Sequence, residues 1–383
     1  MRNFEDLKLP LKTFPQIKLS QQAQYSCSKP RINSRQNQQI NKSSALNKAS
    51  YKFSLIGAIW VTISVVTTAA ILPFSVALPL NSTLLKLSWR NMTMVPFLFI
   101  ICIYEARTSH KGFKISSIIK SKKMIVNLTQ LVVLFILMQS TYILSGQYTI
   151  MSHASILSNL GGVFIVILRV LRGKPAHKFE YFGLLIAFGG LGISVLDQEV
   201  EKIDSKNQQI LLGDCCAILC SLICSFYYQK NSEVIQIIPS SFTVFITIVF
   251  AEILLVIYGI TFDTFTFNFN SQTGVFGFFD RSYALYTIFV CGMITGSVSI
   301  YSAAVSLKYF PPVLLLIAYL FEPLISQLIS CLMRIDKAPG LLTYLGGIFT
   351  LIGILAIFYG GQKLEMSNKQ RNQKSDKSQT ELC

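Results

Sequence analysis

Between Phe53 and Gly360 the chain alternates long apolar runs with short polar segments, and that alternation leaves few folds open. A helix rises about 1.5 Å per residue, so about 20 apolar residues cross the hydrocarbon core of a bilayer. Ten runs are expected to do so: Phe53–Phe74, Leu84–Tyr104, Met124–Ser145, Met151–Leu171, Tyr181–Asp197, Leu211–Gln229, Ser241–Ile260, Ala284–Val305, Tyr309–Met333 and Leu341–Gly360. The second carries Lys86 and Arg90 in its first turns. It is expected to span with that basic end snorkelling to the headgroups or lining a vestibule.

Composition agrees with an all-α polytopic membrane protein. Only 14% of the 383 residues are charged, against about 25% in globular chains. The net charge of +16 would suit nucleic acid, but most Lys and Arg lie between the apolar runs, so nucleic acid is not an expected partner. The nine cysteines lie mostly inside those runs, which argues against a disulfide framework. Cys216, Cys220 and Cys224 recur every four residues; close packing explains them without a metal. Residues 1–52 hold ten Lys/Arg against two acidic residues and a Gln/Asn/Ser-rich run, and read as a disordered basic cytosolic tail with no signal peptide. Residues 362–383 read as a second disordered tail.

Charge also sets an expected orientation. With ten spans and both termini in the cytosol, the inward segments hold most of the Lys and Arg, notably Arg107 to Lys123, while Gln198–Ile210 on the other side is acidic. Phe262–Phe279 is the longest outward connection, with aromatics suited to the headgroup zone. Asn81-Ser82-Thr83 is an outward sequon close to the membrane.

The chain repeats itself. Tyr181, Gly183 and Gly190 match Tyr344, Gly346 and Gly353 at one offset, and the run after Tyr148 resembles the run after Tyr309. Residues 53–197 and 211–361 are expected as two five-helix repeats. Five is odd, so the second must enter from the opposite face. Inverted repeats with interrupted helices are the pattern of secondary transporters.

On these residues the chain resembles the drug/metabolite transporter superfamily, and within it the EamA-like ten-helix proteins. The features are Arg90, Tyr148, Gly183 and Gly190, Gly213-Asp214, Leu307-Lys308-Tyr309, Glu322-Pro323, and Gly346 and Gly353. The departure is Gly161-Gly162, where the family usually has a proline-bearing centre. The resemblance implies ten helices with cytosolic termini and export or exchange of metabolites such as nucleotide sugars, amino acids or phosphorylated compounds.

Glu322 is the sharpest candidate, a carboxylate inside an apolar run followed by Pro323, which has no N–H and is expected to break the helix. It is either a coupling or substrate-binding group or a carboxylate tied to neighbouring helices. Glu252 has the same two readings. Arg90 and Lys86 share a face and could attract an anion or anchor at the interface; Lys308 has the same pair of roles, beside Tyr309. His153, Ser155 and Asn159 form a polar stripe that contacts substrate or bonds between helices, and Tyr301 is judged likewise. Gly161 and Gly162 are the helix-break candidates of the first half.

The function expected is non-ATP-driven transport of a small polar metabolite by alternating access, without a cofactor. The implied partners are the bilayer, a small-molecule cargo, a proton or counter-solute, and a second copy of the chain. The alternatives are a divalent-cation carrier using Glu322, Glu252 and Asp214, or a transport-inactive scaffold. An enzyme is disfavoured, since none of His110, His153 and His177 opens an acyltransferase-type His-x4-Asp pattern.

Overall fold

The computed structural model describes residues 55–80, 82–108, 121–171, 173, 177–195, 207–335 and 340–381. The basic tail 1–52, Asn81, most of the basic loop 109–120 and the acidic residues 199–204 lie outside them. The elements are α1 Leu55–Ala69, α2 Ile71–Val76, α3 Thr83–Thr108, α4 Lys122–Tyr148, α5 Met151–Ser158, α6 Gly161–Leu171, α7 Lys178–Val195, α8 Asn207–Val234 and α9 Ser240–Phe262. A π-helix, Tyr286–Val298, then leads into α10 Ser299–Tyr309, α11 Pro312–Ala318, α12 Glu322–Leu332 and α13 Leu341–Glu381. The described residues form no strand, only one isolated bridge between Thr266 and Gly274. Among the described residues, eight helical stretches are long and apolar enough to cross a membrane. The run expected as the fourth span is instead broken into α5 and α6, and α7 follows it.

Two breaks define the interior. In Tyr309–Met333, α11 gives way to one 3-10 turn at Tyr319–Phe321 before α12 starts on Glu322-Pro323. The cause is the missing proline N–H, which leaves the carbonyl of Tyr319 without its helical donor. Between α5 and α6, the N–H groups of Asn159 and Leu160 turn back to Ile156 and Leu157, three residues earlier, and the chain restarts at Gly161. The carbonyl of Gly161 also accepts from Ser225 Oγ at 2.8 Å. Proline and a glycine pair therefore produce breaks at corresponding places, and α5 packs on α12.

α7 and α13 form the most extensive helix pair. A Cβ on Gly183 would strike the carbonyl of Gly353, and one on Gly190 would lie 2.6 Å from the carbonyl of Gly346. Ala187 and Thr350 sit between these contacts, with Thr350 Oγ1 3.5 Å from the Ala187 carbonyl. Glycine is required here because two backbones touch.

The connection 262–279 folds over one end of the bundle. Trp89 of α3 donates to the carbonyl of Gly274 at 2.9 Å and packs with Phe265, Val275 and Phe278. Phe267, Phe269 and Phe279 remain exposed. At the far end of the chain, α13 runs on to Glu381 in place of the disordered tail expected from residue 362. That polar stretch holds no Pro or Gly beyond Gly361 and many Gln, Lys and Glu, so helix started in the apolar part propagates through it.

Gly183→Ala is expected to destabilise the protein by about 1–3 kcal/mol, the usual cost of overpacking. Gly189, whose Cβ would meet nothing within 4 Å, is the control; Gly189→Ala should be neutral or stabilising by up to about 1 kcal/mol. Thermal unfolding of both variants in one detergent checks the pair.

Candidate functional site

The two breaks meet beside a small polar cavity. It consists of two hollows, of about 30 and 50 Å³, that share Thr68, Ile71, Met138, Gln139, Tyr228 and Tyr319. The larger also reaches Asn159, at the end of α5, and Glu322, at the start of α12. A water molecule occupies about 30 Å³ of liquid and a metabolite site about 300 Å³ or more. The cavity has room for a few waters. Two larger hollows, of about 180 and 660 Å³, are mainly apolar; the 660 Å³ one lies along exposed Ile125, Val126 and Val133 of α4.

Glu322 is 3% exposed and accepts a hydrogen bond from the Tyr142 hydroxyl of α4. It lies in the first turn of α12, where the unpaired N–H groups and the helix dipole favour negative charge. Tyr142 lies one helical turn from Gln139, the acceptor of the Arg90 guanidinium. Arg90 is 1% exposed. Its guanidinium donates to Gln139 Oε1 at 2.8 Å and to the carbonyl of Thr295, inside the π-helix, at 3.0 Å. The rest of the wall is hydroxyl-rich. Tyr319 shares a hydrogen bond of 2.7 Å with Ser64 and accepts from Tyr228 at 3.1 Å, and Thr68 pairs with Ser299 at 2.7 Å. On this wall, a carboxylate, hydroxyls and amides can bind a polar solute through hydrogen bonds, with an arginine one side chain behind them.

The other sequence candidates lie elsewhere. Lys86 does not snorkel: it is buried and donates to Gln147 Oε1 at 3.1 Å, and Arg90 is deeper still. Both basic groups found partners inside the bundle because α4 and the π-helix offer oxygen acceptors along that face of α3. Lys308 pairs with Glu105 at 3.1 Å, whose other oxygen accepts from the N–H of Ser241 at the start of α9. Tyr309 and Tyr301 are near that end: Tyr309 packs on Gly57, and Tyr301 meets Trp60 edge to face with ring centres 5.8 Å apart. His153 is buried 3.6 Å from Asp214, which also accepts from Thr149 at 2.7 Å. Ser155 is buried, and its backbone carbonyl holds the Asn159 amide at 2.7 Å. Glu252 lies between α3 and α9, bonded to Ser88. Glu322, Glu252 and Asp214 thus have separate partners, and among the described residues no three His, Cys, Asp or Glu side chains converge on a metal position.

Sequence reasoning missed Tyr227, Tyr228, Asn231 and the ring of Tyr319. A signal was present for two of them. The Cys216, Cys220, Cys224 series continues at helical spacing to Tyr228 and Asn231, making one stripe along α8 whose members from Cys220 onward line the cavity. Taken as packing, the cysteines hid it.

No family model and no curated protein matches the chain. One solved crystal structure superposes with a TM-score of 0.53 over 79% of this chain and 96% of its own, at 15% sequence identity, so the two share a fold.

Arg90→Ala is expected to leave Gln139 and the Thr295 carbonyl without their donor, at about 1–3 kcal/mol for each buried acceptor. Arg90→Lys should recover only part of this, because an ammonium cannot reproduce the fork. Thermal unfolding of the two variants checks the order wild type, Lys, Ala.

Proposed function

We propose that this chain is a secondary transporter of the EamA-like kind, moving a small polar metabolite by alternating access through the cavity between the two helix breaks. The observation that carries the reading is that cavity: a small space lined from both halves, with Asn159 beside one break and Glu322 at the other among its polar side chains. Broken helices offer unpaired backbone groups where an uninterrupted span offers only side chains.

Two further observations support two inverted repeats and ten spans, with α5–α6 and α7 as the fourth and fifth. The α7–α13 contact pairs Gly183 with Gly353 and Gly190 with Gly346. At the constant offset of the sequence repeat, each glycine touches the counterpart of the other, as a two-fold axis requires. Gly213 packs on Tyr148-Thr149 just as Gly57 packs on Tyr309-Phe310, the corresponding junctions of the two halves. Lys308, Glu105 and the start of α9 then fall at the cytosolic end, consistent with basic segments inside and both termini there.

The cargo class is that of nucleotide sugars, amino acids and phosphorylated metabolites. Purified protein is tested against such a panel by thermal shift. A ligand at 100 times its Kd stabilises the folded state by about 2.7 kcal/mol. A hit must then be taken up by lipid vesicles containing the protein. Glu322→Gln and Tyr142→Phe should lower that uptake at least tenfold while leaving unfolding temperature within a few degrees. Absence of both shift and uptake across the panel would favour the scaffold instead.

A further inference from the structure

Glu252 is a second interior carboxylate, outside the cargo cavity. It sits in the middle of α9, 4% exposed, facing α3. Ser88 Oγ donates to its Oε1 at 2.5 Å. Its other oxygen, Oε2, is buried and has no hydrogen-bond partner. Asn91, one turn after Ser88 on α3 and 1% exposed, directs the amino side of its amide at the same carboxylate, and its Oδ1 is buried and unpartnered. Two orphaned oxygens on opposite helices are an unusual pairing, because each carries the cost of lost hydration with nothing in return.

Among the described residues no cation answers the carboxylate. On α3, Lys86 is held by Gln147, Arg90 by Gln139 and Thr295, and Glu105 pairs with Lys308 of α10 at the far end. On α4, Tyr142 serves Glu322; on α10, Tyr301 packs on Trp60. Tyr258, on α9 itself, stacks with Phe262. The neighbouring wall, Leu87, Ile143 and Leu255, is apolar. A metal ion would need six or so oxygens and room for itself. Here four side-chain oxygens gather, and the cavities described above are lined by other residues. A proton needs no room. Placed on Oε2, it supplies a donor, and Asn91 Oδ1 accepts it once the amide, whose O and N are interchangeable in fit, is turned to face it. One proton satisfies both orphans.

We infer that Glu252 is a proton-binding site, separate from the cargo site, and that its bound proton ties α9 to α3 through Asn91. Release to water leaves a buried charge with Ser88 as its donor and turns the Asn91 amide so that Nδ2 faces the carboxylate, so the two protonation states favour different arrangements of the α3–α9 contact. Proton occupancy thereby biases the conformation of the bundle. If the chain is the carrier proposed above, this is where a proton gradient acts; the proton site itself does not depend on that reading.

The test uses the full chain in lipid vesicles. Infrared spectra at neutral pH should contain a carboxylic-acid C=O band that shifts in D2O, is lost in Glu252→Gln and is kept in Glu322→Gln. An unchanged band in Glu252→Gln overturns the assignment. Should that variant not fold, Asn91→Leu probes the same group: the band should move toward the frequency of an acid without an acceptor, and an unmoved band is equally fatal. The conformational half is read from Trp89, next to Ser88 and one of two tryptophans in the chain. In a Trp60→Phe background its emission should change across a pH step in the presence of Glu252 and stay constant in Glu252→Gln. A response that persists without Glu252 overturns the link.

Discussion

Every polar group inside this bundle has to find its partner within the protein, and most of the architecture follows from that constraint. Arg90 is the clearest case. A guanidinium cannot shed its charge, so its burial in α3 requires oxygen acceptors on both sides. Gln139 of α4 and a carbonyl of the π-helix provide them, which ties three helices at one point. Glu322 makes the matching demand from the other direction and takes the Tyr142 hydroxyl. Tyr142 and Gln139 are one helical turn apart on α4, so the opposite charges are held by neighbouring positions of a single element.

The helix breaks belong to the same logic. An uninterrupted helix consumes its own hydrogen bonds and presents only side chains; a broken one leaves backbone and side-chain groups that must be met locally. Ser225 meets the carbonyl of Gly161, and the hydroxyls of Ser64 and Tyr228 gather on Tyr319 at the other break. The result is a polar interior that is nearly full. Close-packed interiors do not deform continuously, so admitting a solute requires groups of helices to move as bodies. The glycine contacts of α7 and α13 let two backbones lie against one another without long side chains between them, a geometry suited to such motion.

Much of the fold was legible because its signals are local. Apolar runs of sufficient length, Pro323 within one of them and the recurring glycines each act through backbone geometry that the residue alone imposes. The break at Gly161-Gly162 was legible only by its correspondence to Glu322-Pro323. The site was less so. Glu322 and Asn159 stood out as polar groups in apolar surroundings, but Lys86 and Arg90 were read either as interfacial anchors or as an anion-attracting pair, and both lie buried. Nothing in their own helix says that acceptors wait on α4 and the π-helix. Tyr227 and Tyr228 escaped notice because an aromatic in a spanning helix is compatible with lipid, packing or a cavity, and only the neighbours decide.

By itself the sequence determined that the chain is helical, rich in membrane-length apolar segments, internally repeated, and interrupted at a Glu-Pro. These follow from hydrogen bonding and burial within single segments. The tertiary structure alone decided which polar residues meet. It put Glu322 against Tyr142, Arg90 against Gln139, His153 beside Asp214 and Glu252 opposite Ser88 and Asn91, pairs drawn from segments about 50 to 180 residues apart. The physical reason is that a buried polar group specifies that it needs a partner but not which one, and only the packing of whole helices makes that choice.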